Sequence, residues 1–148
     1  MKQKILSFIT DGKKFLALRN NPSDPKHGGD FWFVVTGGVE KNESSNNAVI
    51  REVKEETNLD VITIVNLNWG SKYKCFDEEC IEKNFLSFVK PGEVLLNEEK
   101  VEYQWLDLEE FVTLIRWGDN KNLLIKVLKK ALNKDQYFKE EAVIDYCK

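Results

Sequence analysis

The sequence predicts an α+β fold, a single domain over residues 1–148 in which helices pack on the faces of a mixed β-sheet. Three observations support this prediction. β-Like runs occupy the first 36 residues and residues 61–106, a Glu-rich segment with helical spacing lies between them, and the last third is again helical in pattern. A chain of 148 residues suits one domain with a core better than two.

The first three β-like runs precede the Glu-rich segment. Residues 4–10 and 14–19 are joined by Asp11-Gly12, a dipeptide that favours a hairpin. A polar loop over residues 20–30 follows, with two prolines and two glycines. The third run, residues 31–36, leads directly into Gly37.

The Glu-rich segment is predicted to be a helix over residues 48–57, which contain neither Gly nor Pro. Ser44 or Ser45 is the expected N-cap, because a serine oxygen satisfies free amides at a helix start. Asn58 is a suitable end, since Asn adopts the left-handed conformation that Gly usually supplies there. Val49 and Val53 form the apolar stripe expected to face the core.

Three carboxylates share another face of this helix, because Glu52, Glu55 and Glu56 are spaced i, i+3, i+4. They repel one another, and Arg51 and Lys54 offset only part of that repulsion. We expect an exposed cluster that binds a hard divalent cation, which takes oxygen ligands and often bridges to substrate phosphates. The alternative is a charge-rich solvated helix without a ligand.

The remaining elements follow from periodicity and turn residues. Beyond the helix we expect strands over residues 61–69, 72–76, 81–89 and 102–106, with a turn at Pro91-Gly92. Residues 108–117 and 120–132 are predicted helices separated by Gly118. The second carries Leu123, Leu124, Val127, Leu128 and Leu132 on one side. After Asn133 we expect a short terminal helix or a frayed tail.

The composition narrows the class of partner and the compartment. The net charge of −3 argues against broad nucleic-acid binding through phosphate neutralisation. No apolar run approaches the ~18 residues that span a bilayer, and residues 1–15 indicate a strand and turn rather than a signal peptide. We therefore expect a cytoplasmic protein without membrane or stable nucleic-acid partners; a homodimer stays open.

The cysteines and the single histidine give no sign of a metal or redox site. Cys75, Cys80 and Cys147 lack a second pair or a nearby histidine that would complete a zinc site, so reduced thiols are expected. His27 is expected to be a solvated loop residue.

The segment from residue 37 to 59 reads GGVEKNESSNNAVIREVKEETNL and resembles the Nudix box, G-x5-E-x7-R-E-U-x-E-E-x-G-U, where U is aliphatic. Eight of nine specified positions match; the exception is Asn58, where the box has Gly. Two flanking runs, DFWFVVTGGVE and EEKVEYQWLDLEE, are similar to the nucleoside triphosphate branch that includes dihydroneopterin triphosphate pyrophosphatases. The resemblance implies the Nudix α/β/α sandwich and hydrolysis of a nucleoside diphosphate linked to another moiety.

The resemblance also implies roles for individual residues. Arg51 and Glu43 match a pair that shapes the loop and orients the helix. The candidate catalytic residues are Glu55, Glu56 and Glu99, and Glu98 stays open as the neighbour of Glu99. The candidate ligands of Mg²⁺, or of Mn²⁺ as the alternative, are Gly37 through its carbonyl and the side chains of Glu52, Glu55, Glu56 and Glu99.

Specificity is expected to lie outside the box. Phe31, Trp32 and Phe33 are candidates for stacking on a base, although alternate residues of this strand could fill the core instead. Arg19 and nearby loop lysines are candidates for phosphate contacts. A second aromatic group is expected to pack in the core or at an edge rather than contact a ligand: Trp69, Tyr73 and Phe76.

Three functions follow from these residues. The first is pyrophosphate release from a nucleoside or pterin triphosphate. The second is cleavage of ADP-ribose or a dinucleoside polyphosphate. The third is a non-catalytic nucleotide sensor, which is disfavoured because such a module would not need Glu52, Glu55 and Glu56 together.

Overall fold

The computed structural model describes residues 1–23, 29–75, 77–134 and 142–145. In chain order its elements are β1 (Lys2–Thr10), β2 (Phe15–Asn20), β3 (Trp32–Phe33), β4 (Val35–Gly38), α1 (Ser45–Thr57), β5 (Val61–Cys75), β6 (Glu78–Val89), β7 (Lys100–Leu106), α2 (Leu108–Leu114), α3 (Lys121–Ala131) and β8 (Ala142–Asp145).

The strands form one mixed sheet, as the sequence predicts. Its main path runs β3-β2-β1-β6-β5-β8, while β4 pairs with β1 and β7 pairs with β2. Strand β1 is parallel to β6 along its whole length and antiparallel to β4 over residues 4–7. The hairpin after Thr10 is confirmed but short, since Thr10 and Phe15 are its paired residues before β2 turns away to β7 and β3.

Helices cover both faces of the sheet, which confirms the α/β/α sandwich. Alternate residues of β1 point to opposite faces. Leu6 and Phe8 pack in a core with residues of α2 and α3, and Ile5 and Ile9 pack in a second core with residues of α1. Strand β1 is therefore buried on both sides, which explains its continuous apolar run.

Strand β5 differs from the prediction of separate strands over residues 61–69 and 72–76. It is one strand that pairs with β6 throughout, with an irregularity between Asn66 and Gly70. A Cβ at Gly70 would lie 2.1 Å from the carbonyl oxygen of Glu82, so only glycine fits this close approach. Phe76 lies outside the described residues.

The run over residues 31–36 is not one strand either. Buried Val34 separates β3, which pairs with β2, from β4, which pairs with β1. The predicted helix over residues 108–117 ends earlier, at Leu114, because Ile115 is extended and the Arg116 amide donates to the carbonyl of Trp32 at 2.8 Å.

Helix α3 confirms the predicted helix over residues 120–132 to within a residue at each end, and Asn120 is its N-cap. Its buried side is formed by Leu124, Val127 and Leu128, whereas Leu123 is 45% exposed. The expectation that Leu123 shares this side is wrong: at about 100° per residue, Leu123 lies about 100° from Leu124 and about 140° from Leu128, outside the buried arc.

The C-terminal region also differs from the expected helix or tail. Residues 142–145 form β8, which pairs in parallel with β5. No helix in the described part of the chain combines the length and apolarity that a membrane span requires. Cys80 is buried and forms no disulfide with another described residue. The expectations for His27, for Cys147 and for the side chain of Cys75 concern parts of the chain outside those described.

Candidate active site

Helix α1 is capped as predicted, and this sets the direction of its carboxylates. The Ser44 hydroxyl oxygen accepts from the Asn47 amide at 3.1 Å. At the other end Asn58 is left-handed, with φ of 68°, and its amide donates to the Lys54 carbonyl at 2.9 Å. Val49 and Val53 are fully buried, so the helix cannot rotate without exposing apolar surface.

Arg51 joins the loop before α1 to the helix. Its Nε and Nη2 donate to the two carboxylate oxygens of Glu43 at 2.9 and 3.0 Å, which confirms the predicted pair. Nη1 donates to Glu52 Oε1 at 2.7 Å, and Nη2 also donates to the Gly38 carbonyl at 2.8 Å. Hydrogen bonds from Arg51 lower the pKa of Glu43 to about 2.

Gly37 is required by the position of Glu52. A Cβ at residue 37 would lie 2.2 Å from Glu52 Cδ, because the carboxyl group packs directly against the backbone of β4. The side chain of Glu52 is 13% exposed. Its burial raises the pKa, and the Arg51 hydrogen bond opposes this effect.

Glu56 is buried rather than exposed, contrary to the expectation of an exposed cluster; it is 1% accessible. Its Oε1 lies 3.7 Å from Lys100 Nζ, which donates to Asn20 Oδ1 at 2.6 Å. Burial raises the pKa of Glu56 and lowers that of Lys100, while each charge partly offsets the effect on the other. The neighbouring charges of Glu99 and Glu52 raise the pKa of Glu56 further.

The other predicted acidic residues lie in different settings. Glu99 is near enough for its charge to act on Glu56, and its backbone carbonyl accepts from the Asn21 amide at 3.0 Å. Glu55 lies on the outer side of α1, with 54% of its side chain exposed and Oε2 3.5 Å from Arg51 Nη1. Glu98 is exposed.

The carboxylates of Glu52 and Glu56 are within hydrogen-bonding reach of each other, and Glu56 Oε2 is buried without a hydrogen-bond partner. Two facing carboxylates need a proton or a cation between them. Among the described residues, no three acidic, cysteine or histidine side chains already converge as ligands of one ion. Two carboxylates nevertheless fit Mg²⁺, which usually takes one or two from the protein and completes its shell with water and substrate phosphate.

A groove of about 570 Å³ lies beside these carboxylates; we call it the outer groove. Lys100 and Asn20, which contact each other next to Glu56, line it. Phe31 also lines it, and the Arg116 guanidinium carbon is 4.7 Å from the centre of the Phe31 ring. The rest of its wall comes from β1, β3, β4, β5 and β6, through Lys4, Phe33, Thr36, Tyr73 and Glu82.

Two predicted substrate residues do not line this groove. Trp32 is partly buried and packs against the core that contains α2 and α3. Arg19 donates to Asp30 from Nε and Nη2 at 2.8 and 2.7 Å and to Glu102 from Nη1. Their roles in substrate binding stay predictions, and in this structure Arg19 is neutralised by two carboxylates.

Sequence reasoning missed three residues of the site. Lys100 stands in the charged run EEK and Arg116 near a predicted helix end, where lysine and arginine usually face solvent. Tyr73 was expected in core or edge packing rather than in a ligand contact, and it lines the outer groove. One signal could have indicated the buried pair of Lys100 and Glu56: Lys100 begins β7 directly after two acidic residues, Glu98 and Glu99.

Comparisons with known proteins agree with this geometry. The NUDIX domain family matches residues 2–127. An Escherichia coli protein named dihydroneopterin triphosphate diphosphatase is 26% identical over 134 positions, covering 81% of this chain and 86% of that protein. A Campylobacter jejuni protein named RNA pyrophosphohydrolase is 29% identical over 153 positions, covering 93% of this chain and 88% of that protein.

The fold comparison agrees with the family match. The crystal structure of the MutT protein from Methanosarcina mazei superposes with a TM-score of 0.67 and 19% identity, covering 92% of this chain and 95% of that one. The chain belongs to the Nudix family, and it is a hydrolase acting on phosphoanhydride bonds.

Proposed function

We propose that this single-domain enzyme cleaves a nucleoside or pterin triphosphate to the monophosphate and pyrophosphate, with Mg²⁺ as the preferred ion and Mn²⁺ as an alternative. One observation carries the proposal: the buried Glu52–Glu56 carboxylate pair lies next to Lys100, which lines a groove that combines cationic and aromatic side chains. Carboxylates suit a hard cation, cations suit phosphates and aromatic rings suit a flat heterocycle.

Glu52 and Glu56 would hold the metal. The family resemblance adds the Gly37 carbonyl and Glu55 from the Nudix box, and Glu99 from outside it, as further donors. A bound divalent ion screens phosphate charge, polarises a phosphoryl oxygen and lowers the pKa of bound water.

The protein's own side chains supply the rest of the site. Arg51 holds the Glu52 carboxylate through Nη1 and so fixes its direction. Lys100 places a buried ammonium group beside Glu56 at the end of the outer groove, where it can contact a substrate phosphate. Glu55 and Glu99 are the candidates to accept the proton of the attacking water. Phe31 offers an aromatic wall to the part of the substrate that lies in the outer groove.

A second candidate substrate is a 5′-triphosphate at the end of an RNA chain. The relative named RNA pyrophosphohydrolase, 29% identical over 93% of this chain, favours it. The acidic net charge of −3 argues against a long nucleic-acid contact, but a triphosphate end presents the same phosphates as a free nucleotide.

The test is a substrate panel with Mg²⁺, in which pyrophosphate and orthophosphate are measured separately. The panel contains the common nucleoside triphosphates, dihydroneopterin triphosphate, triphosphorylated RNA, ADP-ribose and a dinucleoside polyphosphate. We expect pyrophosphate from a free triphosphate. Cleavage of ADP-ribose to AMP and ribose phosphate, with no pyrophosphate from any triphosphate, would overturn the substrate class and leave the family intact. Absence of turnover on the whole panel would favour a nucleotide sensor.

A further inference from the structure

A second cavity, of about 240 Å³, continues from the outer groove into the molecule; we call it the inner cavity. Phe33, Glu82 and Arg116 line both spaces, so the two are contiguous. The inner cavity has aromatic walls, because Trp69 and Trp117 also line it, with their ring centres 5.5 Å apart in an edge-to-face arrangement. Such walls suit a flat ring system.

Two residues of the inner cavity have buried polar atoms without a hydrogen-bond partner among the described residues. These atoms are Asn84 Oδ1, an acceptor, and Trp117 Nε1, a donor. Asn84 is only 5% exposed. Native proteins satisfy nearly all buried polar atoms, so these residues provide one hydrogen-bond acceptor and one donor that a polar ligand in the cavity can satisfy.

A third polar group, Glu82, belongs to the same wall. It lies two residues before Asn84 on β6, and side chains two apart in a strand point to the same face. The carboxyl group interacts with Tyr73 and Lys4, and an unshared oxygen lone pair is left to accept further hydrogen bonds, since a carboxylate has about four acceptor positions. The cavity wall therefore presents two acceptors, Glu82 and Asn84 Oδ1, and one donor, Trp117 Nε1–H.

We propose that the inner cavity binds the heterocycle of the substrate and recognises the 2-amino-4-oxo pyrimidine edge that guanine and pterins share. In this arrangement the ring N–H and the 2-amino group donate to Glu82 and Asn84 Oδ1, and Trp117 Nε1–H donates to the exocyclic 4-oxo oxygen. The proposal rests on the proposed function, because the phosphates must then extend along the outer groove toward Lys100.

The count of donors and acceptors separates this ring edge from the others. The Watson–Crick edges of adenine and cytosine each offer one donor group, and uracil offers one N–H between two carbonyls. Each of these would leave Glu82 or Asn84 Oδ1 without a donor. A site that hydrogen-bonds a substrate group rejects an analogue that lacks the group more strongly than an apolar pocket rejects a missing methylene.

The test measures binding, so it does not depend on turnover. Wild-type protein is titrated calorimetrically with GMP, neopterin, IMP and AMP; IMP matches GMP except for the missing 2-amino group. We expect GMP to bind at least about 10-fold more tightly than IMP and AMP. Asn84→Leu and Trp117→Phe should each reduce this preference to about 2-fold or less. The control variant is Trp105→Phe, because the Trp105 ring lines neither the outer groove nor the inner cavity. This variant should keep the wild-type preference.

The outcomes separate the two proposals. Equal affinity for GMP and IMP in the wild type, no binding of any of the four, or an unchanged preference in both cavity variants overturns the proposed recognition. If triphosphates are still cleaved in that case, the proposed function stands. Tighter binding of GMP than of IMP supports recognition of the shared edge, and the affinity of neopterin relative to GMP then shows which of the two ring systems is preferred. Binding of neopterin alone leaves GMP equal to IMP and overturns the proposal. Since the wild-type comparison needs no variant, poor folding of Asn84→Leu does not remove the test.

Discussion

At the scale of single residues, the site depends on an acidic and a basic side chain, Glu56 and Lys100, that are buried next to each other. Glu56 is 1% exposed and Lys100 is 5% exposed, with Oε1 and Nζ 3.7 Å apart. Burial disfavours the charged form of each group, and the partner favours it. The Glu56 carboxyl group therefore lies against that of Glu52 in the interior of the protein, where bulk solvent does not reach it.

Glu56→Gln should lower kcat/KM by ~10²-fold or more, because the amide cannot replace an anionic ligand of a divalent ion. The fold should be retained, since burial raises the pKa of Glu56 and Gln has nearly the same shape as the carboxyl group. Steady-state kinetics and thermal melts test both expectations, with the exposed substitution Glu109→Gln as the control. Near-normal Mg²⁺-dependent activity would contradict the metal role of Glu56.

Arg51→Ala should reduce the free energy of unfolding by about 3 kcal/mol, because the half-buried carboxylates of Glu43 and Glu52 lose their partner. Activity should fall as well, since the hydrogen bond from Arg51 no longer fixes the orientation of the Glu52 carboxylate. Urea unfolding gives the first quantity. Arg51→Lys is the matched control, because it keeps the charge but cannot make the bidentate contact with Glu43. Unchanged stability with lost activity would indicate a direct catalytic role instead.

At the scale of elements, α1 is the part in which local sequence decides the structure. Ser44 caps its start, Asn58 ends it in the left-handed conformation, and its apolar stripe fixes its rotation. The one departure from the Nudix box, Asn58, is accommodated because Asn tolerates a φ of 68° better than most residues.

Asn58→Ala should lower the free energy of unfolding by about 1 kcal/mol, since a Cβ-bearing residue that cannot hydrogen-bond locally is disfavoured at positive φ. Asn58→Gly should change stability by less than about 1 kcal/mol and preserve turnover. Chemical unfolding of the two variants side by side measures the difference. Equal stability of the Ala and Gly variants would show that the left-handed conformation is not what the residue provides.

At the scale of the whole molecule, the outer groove and the inner cavity are built from strands and loops that are far apart in sequence. Glu82 is placed at their junction by β6, beside Lys4 of β1 and Tyr73 of β5. Its burial raises its pKa from 4.5 to about 7, although Lys4 and a hydrogen bond from Tyr73 act in the opposite direction. Arg116 is the other charged group that lines both spaces with it.

This pKa gives a pH dependence with a definite sign. Because the folded-state pKa of Glu82 is raised, its stabilising contribution is full below pH 4.5 and is lost as the pH rises through about 7. Glu82→Gln should therefore exceed the wild type in free energy of unfolding by about 1–3 kcal/mol at pH 8. The difference should shrink at acidic pH. Urea unfolding across this range tests it, and a difference that does not vary with pH would contradict the raised pKa.

The sequence by itself determined the family, the sandwich fold, helix α1 with both caps, and the Arg51–Glu43 pair. These depend on residue spacing and short-range geometry, which a single chain segment carries. It did not predict that β5 is continuous, that β8 is a strand, or that Glu56 is buried. The continuity of β5 depends on its pairing with β6, strand β8 depends on pairing with β5, and the burial of Glu56 depends on packing beside Lys100 of β7.

Only the tertiary structure decided what surrounds the carboxylates. Lys100 is brought to Glu56 because β7 pairs with β2, and Asn84 and Trp117 meet around one cavity because α2 stops at Leu114 and the following chain returns to β3. A charged or polar side chain looks the same in sequence whether it is solvated or buried. Its role is decided by long-range packing, which removes water from it and supplies or withholds its partners.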